Sequence, residues 1–367
     1  MSKKSIDAPF LLVLCALLVS GLLIFTSASL SLLAEDGGAS FTSAAVSQLL
    51  LGLVMGGIGL IFFARIDYRV WRPYTIYFFV FALFLSLLTF APHIGLSLKG
   101  AARWIVVGPV SFQPEEVLKF ATVMLLAAVY STRLKKTSTL LGGIGPLAIV
   151  AGSAALILLI QPDTAGVIII GAASVAILFA AGGRVSHLLL LFLIGVLAVG
   201  AAAYERPYIA QRIETYLHQT SDPQGAGWQI QQSLIAVGSG GLTGRGFGQS
   251  IEKFSYLPEP SGDSIFAVAG EEFGFIGSSA LVLLYLAFGL LGLRIATRAA
   301  DPFGGLIATG LVILIIGQSF FNIASALGLV PLIGVPLIFV SHGGTALAIS
   351  LCEVGMILSV SRRMKQA

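Results

Sequence analysis

FLLVLCALLVSGLLIFTSASLSLL, Phe10 to Leu33, runs for 24 residues without a charged side chain. Wound as an α-helix it would reach about 36 Å, enough to cross a hydrocarbon layer about 30 Å thick. Similar apolar runs recur along the chain. Of the 367 residues, 57% are hydrophobic and only 10% are charged, and the mean hydropathy is +0.97. A soluble globular chain carries roughly 25% charged residues, a gap too wide for a buried core to explain. The pattern predicts an all-α, polytopic membrane protein forming one domain over 1–367. A β-barrel would alternate in segments of about ten residues, and these runs do not alternate. The basic start, Lys3-Lys4, resembles a signal peptide, but a run this long favours a retained helix.

Ten spans are placed at 10–33, 45–64, 73–91, 115–131, 139–160, 165–181, 187–203, 264–293, 303–327 and 343–360. With the N-terminus inside, fourteen of the 21 Lys and Arg residues fall in inside segments and six in outside loops, and Lys119 lies within a span. That imbalance predicts both termini on the cytoplasmic side. Acidic residues show the opposite bias, with only Asp7, Asp67 and Asp301 inside. One long outside loop, 204–263, separates the seventh and eighth spans, and loops of that length are commonly functional. Cys15 and Cys352 sit in separate apolar runs, and no disulfide or zinc framework is implied.

Three outside stretches carry the chemistry. In GAARWIVVGPVSFQPEEVLKF, Gly100 to Phe120, Pro114 suits a first helical turn, and Glu115 and Glu116 complement its dipole. Either glutamate can pair with Lys119, one turn on. A well-capped helix explains this pattern, yet a lysine inside a span often marks a functional path. Arg103 beside Trp104 reads as an interfacial anchor or as an anion contact. In the long loop, six glycines fall between Gly238 and Gly248, either as a flexible turn or as backbone packed close to a ligand. Arg245 and Lys253 nearby would suit a phosphate-bearing substrate.

The third stretch, SYLPEPSGDSIFAVAGEEFGFIG from Ser255 to Gly277, crowds Glu259, Asp263, Glu271 and Glu272 at the mouth of a span. With a helix starting near Ser261, Glu271 falls about 80° round from Asp263 and about 12 Å deeper, and Glu272 about 180° away. The mouth pair, Asp263 and Glu259, then meets water and substrate. The deeper pair, Glu271 and Glu272, braces the helix. The last outside segment, Asn322 to Ser350, is apolar but broken by Pro331, Gly334, Pro336, Gly343 and Gly344, as expected of a re-entrant segment packed in protein. His342 there reads as a helix cap or a proton carrier. Glu353, inside the last span, reads as a functional group or a structural pair. His93, His187 and His218 are too scattered for a metal site.

Nearly the whole chain resembles the SEDS family (shape, elongation, division and sporulation), which includes RodA, FtsW and SpoVE. The residues that carry the likeness are GAARWI, SFQPEEVLK, DPQGAGWQIQQSLIAVGSGGLTGRGFG, YLPEPSGD, AVAGEEFGFIG and NIASALGLVPLIGVPLIFVSHGGT. Lys253 ahead of Tyr256-Leu257-Pro258-Glu259, with Gly270-Glu271-Glu272, is more FtsW-like than RodA-like. The resemblance implies a peptidoglycan glycosyltransferase that polymerises lipid II at the outer face of the bacterial plasma membrane, for division or elongation. It further implies a class B penicillin-binding protein transpeptidase as partner, and other division or elongation membrane proteins around it. The family's catalytic aspartate maps onto Asp263, and its important loop positions map onto Arg103, Glu116 and Lys119. Departures are Glu115 for a usual Ser, Ser261-Gly262-Asp263-Ser264 for His-Thr-Asp-Phe, His342 for Tyr, and Thr345-Ala346 for Ser-Ser.

On this reading Asp263 is the general base, and Arg103, Lys119 and Arg245 face the pyrophosphate of the donor. Lys253 and Glu259 stand at the substrate, and Glu116 positions Lys119. Glu271, Glu272 and His342 support the site. A divalent cation, Mg or Mn, is an optional companion of the pyrophosphate, and no nucleic acid is involved. Rival readings are a lipid II flippase, which needs polar groups from face to face, and a non-catalytic scaffold that recruits a transpeptidase.

Overall fold

The computed structural model describes residues 6–35, 39–92, 95–98, 101–107, 110–205, 207–218 and 226–364. Lys3, Lys4, Lys99, Arg206 and Lys365 of the charge count, and His93, lie outside the described residues. The chain is a helical bundle of α1 Ala8–Ser29, α2 Phe41–Arg65, α3 Tyr68–Phe90, α4 Pro114–Ser131, α5 Leu140–Ile160, α6 Thr164–Ala180, α7 Val185–Glu205, α8 Pro207–Leu217, α9 Ala226–Ser239, α10 Ile265–Thr297, α11 Pro302–Ala326 and α12 Gly344–Ser361. Every predicted span coincides with a helix. Among the described residues, seven helical stretches are long and apolar enough to cross a membrane. Pro114–Ser131 carries two glutamates and a lysine, and Thr164–Ala180 and Val185–Gly200 are shorter apolar helices.

Polarity decides which helices sit centrally. A charged side chain facing lipid is costly, so α4, with Glu115, Glu116 and Lys119, is buried along almost its whole length. Its central companions are α12 and α11, 83% and 67% buried along their most apolar stretches, against 17% for α2 at the periphery. In lipid, close helix contact depends on small residues that let backbones approach. Gly52, Gly56 and Gly59 provide that face on α2. A Cβ on them would strike Leu347, Ala348 and Cys352 of α12.

Three features depart from the sequence-based expectation. The stretch before α4 forms a small antiparallel sheet of β1 Gly95–Leu98, β2 Ala101–Val107 and β3 Val110–Phe112, in the order β1-β2-β3. The long loop is largely helical, holding α8, α9 and the short turn of helix Glu252–Ser255. The eighth span is broken. Its N-cap is Ser264, and Gly274 has φ 63 and ψ −165 inside it, a backbone region open essentially to glycine.

The break explains the glycine-rich loop. Interrupting the helix leaves carbonyls and amides of residues 271–276 without helical partners, and a buried unpaired backbone group is costly. The loop supplies them. Arg245 N donates to Glu271 O at 3.0 Å and Gly246 N to Glu272 O at 3.0 Å. In return, Phe275 N and Ile276 N donate to Gly241 O at 2.9 Å and Leu242 O at 3.1 Å. A Cβ on Gly244 would sit 2.1 Å from Glu272 O. The glycines bring backbone against backbone, so the close approach expected at a ligand is made to the broken helix.

The segment between α11 and α12 has no regular secondary structure over Pro331–Leu337, yet Val335, Leu337 and Ile338 are buried. It is packed in protein, as the re-entrant reading expects. Gln48 of α2 pins it, donating to Ser341 O at 3.1 Å and accepting from Gly343 N at 3.0 Å.

Candidate active site at one end of the bundle

The sheet, the α5–α6 turn, the long loop and the α11–α12 segment gather at one end of the bundle. Asp263 lies in the turn just before α10, half-buried. Its backbone carbonyl accepts from Asn322 Nδ2 at 2.9 Å, and the same amide donates to Val335 O at 2.7 Å. Ser341 Oγ donates to Gly262 O at 2.7 Å, and His342 N to Ser261 O at 2.7 Å. The end of α11 and the segment after it therefore grip the Asp263 turn at three points. Gly334, with φ +70, lies under the carboxylate, and a Cβ there would come within 3.2 Å of Asp263 Oδ2.

Glu259 is exposed at the mouth of this turn. Its φ of +48 is unusual for a residue with a side chain, and its carbonyl accepts from Gly262 N and Ser264 N. His342 contributes its backbone to the turn, while its ring stacks on Phe25 of α1 with centroids 6.1 Å apart. The cap position of α12 belongs to Gly343.

A second cluster lies deeper. Lys119 Nζ donates to Glu116 Oε1 at 2.8 Å and Gln318 Oε1 at 2.9 Å, and stands 3.4 Å from Glu115 Oε1. Its three protons are thus engaged by the protein, and the side chain is buried. Glu116 holds Lys119 as expected, but the ammonium is enclosed rather than presented to a pyrophosphate. Glu353 on α12 lies within the electrostatic reach of Glu116 and Lys119. Gln318 and Asn322 sit four residues apart on α11, so one face of a single helix holds the lysine cluster and, about 6 Å further out, the Asp263 turn.

Arg103 on β2 anchors the sheet to the α5–α6 turn. Its Nη1 stands 3.5 Å from Asp163 Oδ1, its Nε donates to Gln161 O at 3.4 Å, and its Nη2 donates to Pro162 O. The guanidinium keeps two further N–H donors and is partly exposed. Sequence reasoning missed Asp163. It caps α6, accepting from Gly166 N at 3.2 Å, and it borders Glu115. Burial and the neighbouring Glu115 carboxylate push Asp163 well above the ordinary carboxylate range. The signal was an Asp two residues after Gln161 and directly before a helix, in a turn too short to attract notice. Gln48, Gln318 and Asn322 were missed because a neutral amide in an apolar span carries no charge signal.

The remaining candidates form a third cluster. Lys253 Nζ donates to Glu272 Oε1 at 2.7 Å, Ser27 Oγ at 2.9 Å and Gly248 O at 3.1 Å, with both charged side chains sealed from solvent. Lys253 was expected at the substrate; here its protons are spent inside the protein. Arg245 Nε lies 3.4 Å from Glu271 Oε1 and remains partly exposed. Glu271 and Glu272 do not point apart. Both reach Ser250, whose Oγ donates to Glu271 Oε2 at 2.6 Å and whose N donates to Glu272 Oε1 at 3.3 Å. The break at Gly274 explains it, because neighbouring side chains in a last helical turn can both meet a loop that crosses the helix end. Among the described residues, no three His, Cys, Asp or Glu side chains form a group that could hold a metal ion.

The family model FTSW_RODA_SPOVE, described as "Cell cycle protein", matches residues 8–366. Stage V sporulation protein E of Bacillus subtilis (strain 168) is 39% identical over 361 residues, covering 98% of both chains. A "Probable peptidoglycan glycosyltransferase FtsW" of Geobacter sp. (strain M18) is 38% identical over 314 residues, covering 86% of both. Among solved structures, one from "Structural coordination of polymerization and crosslinking by a peptidoglycan synthase complex" superposes with a TM-score of 0.80 at 22% identity, covering 98% of both chains. Thermus thermophilus RodA superposes with a TM-score of 0.71 at 24% identity, covering 99% of both. With its fold, its motifs and these relatives in agreement, the chain belongs to the FtsW/RodA/SpoVE family.

Proposed function

We propose that the protein is a peptidoglycan glycosyltransferase that polymerises lipid II, with its site on the outer face of the bacterial plasma membrane and both termini in the cytoplasm. The observation that carries this reading is the α11 face. It places a half-buried carboxylate, Asp263, one helical turn outward from the buried lysine cluster, at the end of the bundle that also presents Arg103 and Arg245. Relatives 38% identical over most of the chain bear the name of that activity.

Lipid II carries its sugar α-linked to undecaprenyl pyrophosphate, and the glycan is β-1,4-linked, so one in-line displacement with inversion suffices. The acceptor 4-hydroxyl oxygen bonds to the anomeric carbon, and its proton passes to Asp263. The bond from the anomeric carbon to the pyrophosphate oxygen breaks, and the electron pair leaves with the pyrophosphate. Arg103, oriented by Asp163, and Arg245, oriented by Glu271, offer N–H donors where that charge develops. Lys119, enclosed by Glu115, Glu116 and Gln318, acts from within as fixed positive charge and holds α4 to α11. Glu259 shapes the turn that presents Asp263. Magnesium ordinarily binds through one or two carboxylates plus phosphate oxygens. Asp263 and Glu259 are the residues that would hold such an ion, which would neutralise leaving-group charge. The partner is a class B penicillin-binding protein transpeptidase, and the FtsW-like motifs favour work at the division septum.

The test gives purified protein and its partner labelled lipid II in detergent. Glycan strands form, and Asp263→Asn lowers the rate about 10²–10⁴-fold, the usual worth of a positioned base, while folding and partner binding persist. Normal polymerisation by the variant refutes the assignment. Lipid movement across liposomes without polymerisation would make the protein a flippase.

A further inference from the structure

At the other end of the bundle, arginines gather where α1 begins and where α2 and α12 end. Two are neutralised by carboxylates. Arg69 Nε pairs with Asp301 Oδ2 at 2.8 Å, and Arg363 Nε with Asp67 Oδ2 at 2.8 Å. Arg65 and Arg362 are different. Both line a cavity of about 470 Å³ between α1, α2 and α12. Arg362 Nη1 donates to Ala64 O at 3.1 Å. Among the described residues, the Arg65 guanidinium has no hydrogen-bond or ion-pair partner, and neither guanidinium meets a carboxylate. Asp7, next to the cavity-lining Ile6, is turned to cap α1 and accepts from Phe10 N at 3.0 Å.

The rest of the wall is apolar, with Leu11, Leu60, Ile61 and Leu358. Two unneutralised guanidiniums above an aliphatic cleft, at the edge of a membrane bundle, match an anion tethered to hydrocarbon. Guanidinium recognises phosphate with several parallel N–H donors. Basic pockets between membrane helices are suited to anionic head groups. We propose that this cavity binds one anionic glycerophospholipid, with the head-group phosphate between Arg65 and Arg362 and an acyl chain along Leu60, Ile61 and Leu358. The bound lipid would tie the start of α1 to the ends of α2 and α12, well away from the Asp263 end of the bundle.

The test is native mass spectrometry of the full chain, released from micelles holding equal phosphatidylglycerol and phosphatidylcholine. Wild type should retain phosphatidylglycerol preferentially. Arg65→Gln with Arg362→Gln should lower that retention roughly thirtyfold, about fivefold per guanidinium, and leave phosphatidylcholine retention unchanged. Arg65→Lys with Arg362→Lys should keep most of it. Ile61→Trp, a change at a half-exposed side chain, keeps both charges and fills the cleft, so it should also release the lipid; it decides the matter if the Gln variant does not fold. Equal retention of the two lipids overturns the proposal. So does undiminished phosphatidylglycerol binding by the Gln variant or by Ile61→Trp, or displacement of the lipid by equimolar inorganic phosphate.

Discussion

Lys253 and Glu272 offer the sharpest quantitative test. Their charged atoms are 2.7 Å apart, and both side chains are at most 1% exposed. Removing one partner of a buried pair strands the other charge, at a cost of about 3–5 kcal/mol. Lys253→Met leaves Glu272 with Ser27 Oγ and Ser250 N as donors, so the loss should lie near the lower bound, about 3 kcal/mol. Glu272→Met strands an ammonium whose remaining acceptors are Ser27 Oγ and Gly248 O, and the loss should be similar. The double variant strands neither charge. It should lose far less than the sum, with a coupling energy of about 3 kcal/mol in the double-mutant cycle. Equilibrium unfolding of the detergent-solubilised protein measures all four corners. Single losses under about 1 kcal/mol, or strict additivity, would refute the buried-pair reasoning. Activity adds a second readout, because a bracing pair predicts that the refolded double variant still polymerises. A double variant that is stable yet inactive would place Lys253 at the substrate.

Three further outcomes are expected. Gly274→Ala should prevent stable folding, because its Cβ would lie 2.3 Å from Gly244 N and the backbone conformation alone costs about 1–3 kcal/mol; expression and thermal unfolding would show it, and a stable Gly274→Ala protein would rule out the break. Gly334→Ala, with a Cβ 3.2 Å from Asp263 Oδ2, should displace the carboxylate and slow polymerisation while costing about 1–2 kcal/mol of stability at its positive φ. Because Asp163 is raised well above the ordinary 3.8, the folded chain holds a proton that the unfolded chain has released. Its contribution to stability is full below the unfolded pKa and is lost as pH rises through the folded one. Thermal unfolding from about pH 4 to about pH 8 should therefore flatten in Asp163→Asn, which keeps an oxygen for Gly166 N; an unchanged slope would sink this.

The spans were legible because lipid leaves a helix few alternatives. A run of 24 uncharged residues at Phe10–Leu33 satisfies its own backbone and exposes only hydrocarbon. Pro114 with Glu115 and Glu116 marked the start of α4 for an equally local reason, and the motif around Asp263 pointed to the chemistry. The partnerships were not local. Gln318 and Asn322 bind Lys119 and the Asp263 turn across more than fifty residues of sequence, and an amide in a span gives no periodic signal. Helical geometry alone set Glu271 and Glu272 on different faces, but the break at Gly274 turned both toward Ser250. Local patterning thus determined which segments are helices. Which charges stay partly exposed, Asp263, Arg103 and Arg245, and which are enclosed, Lys119 and Lys253, was decided only in three dimensions, because a buried charge must find its partners wherever the packed helices bring them.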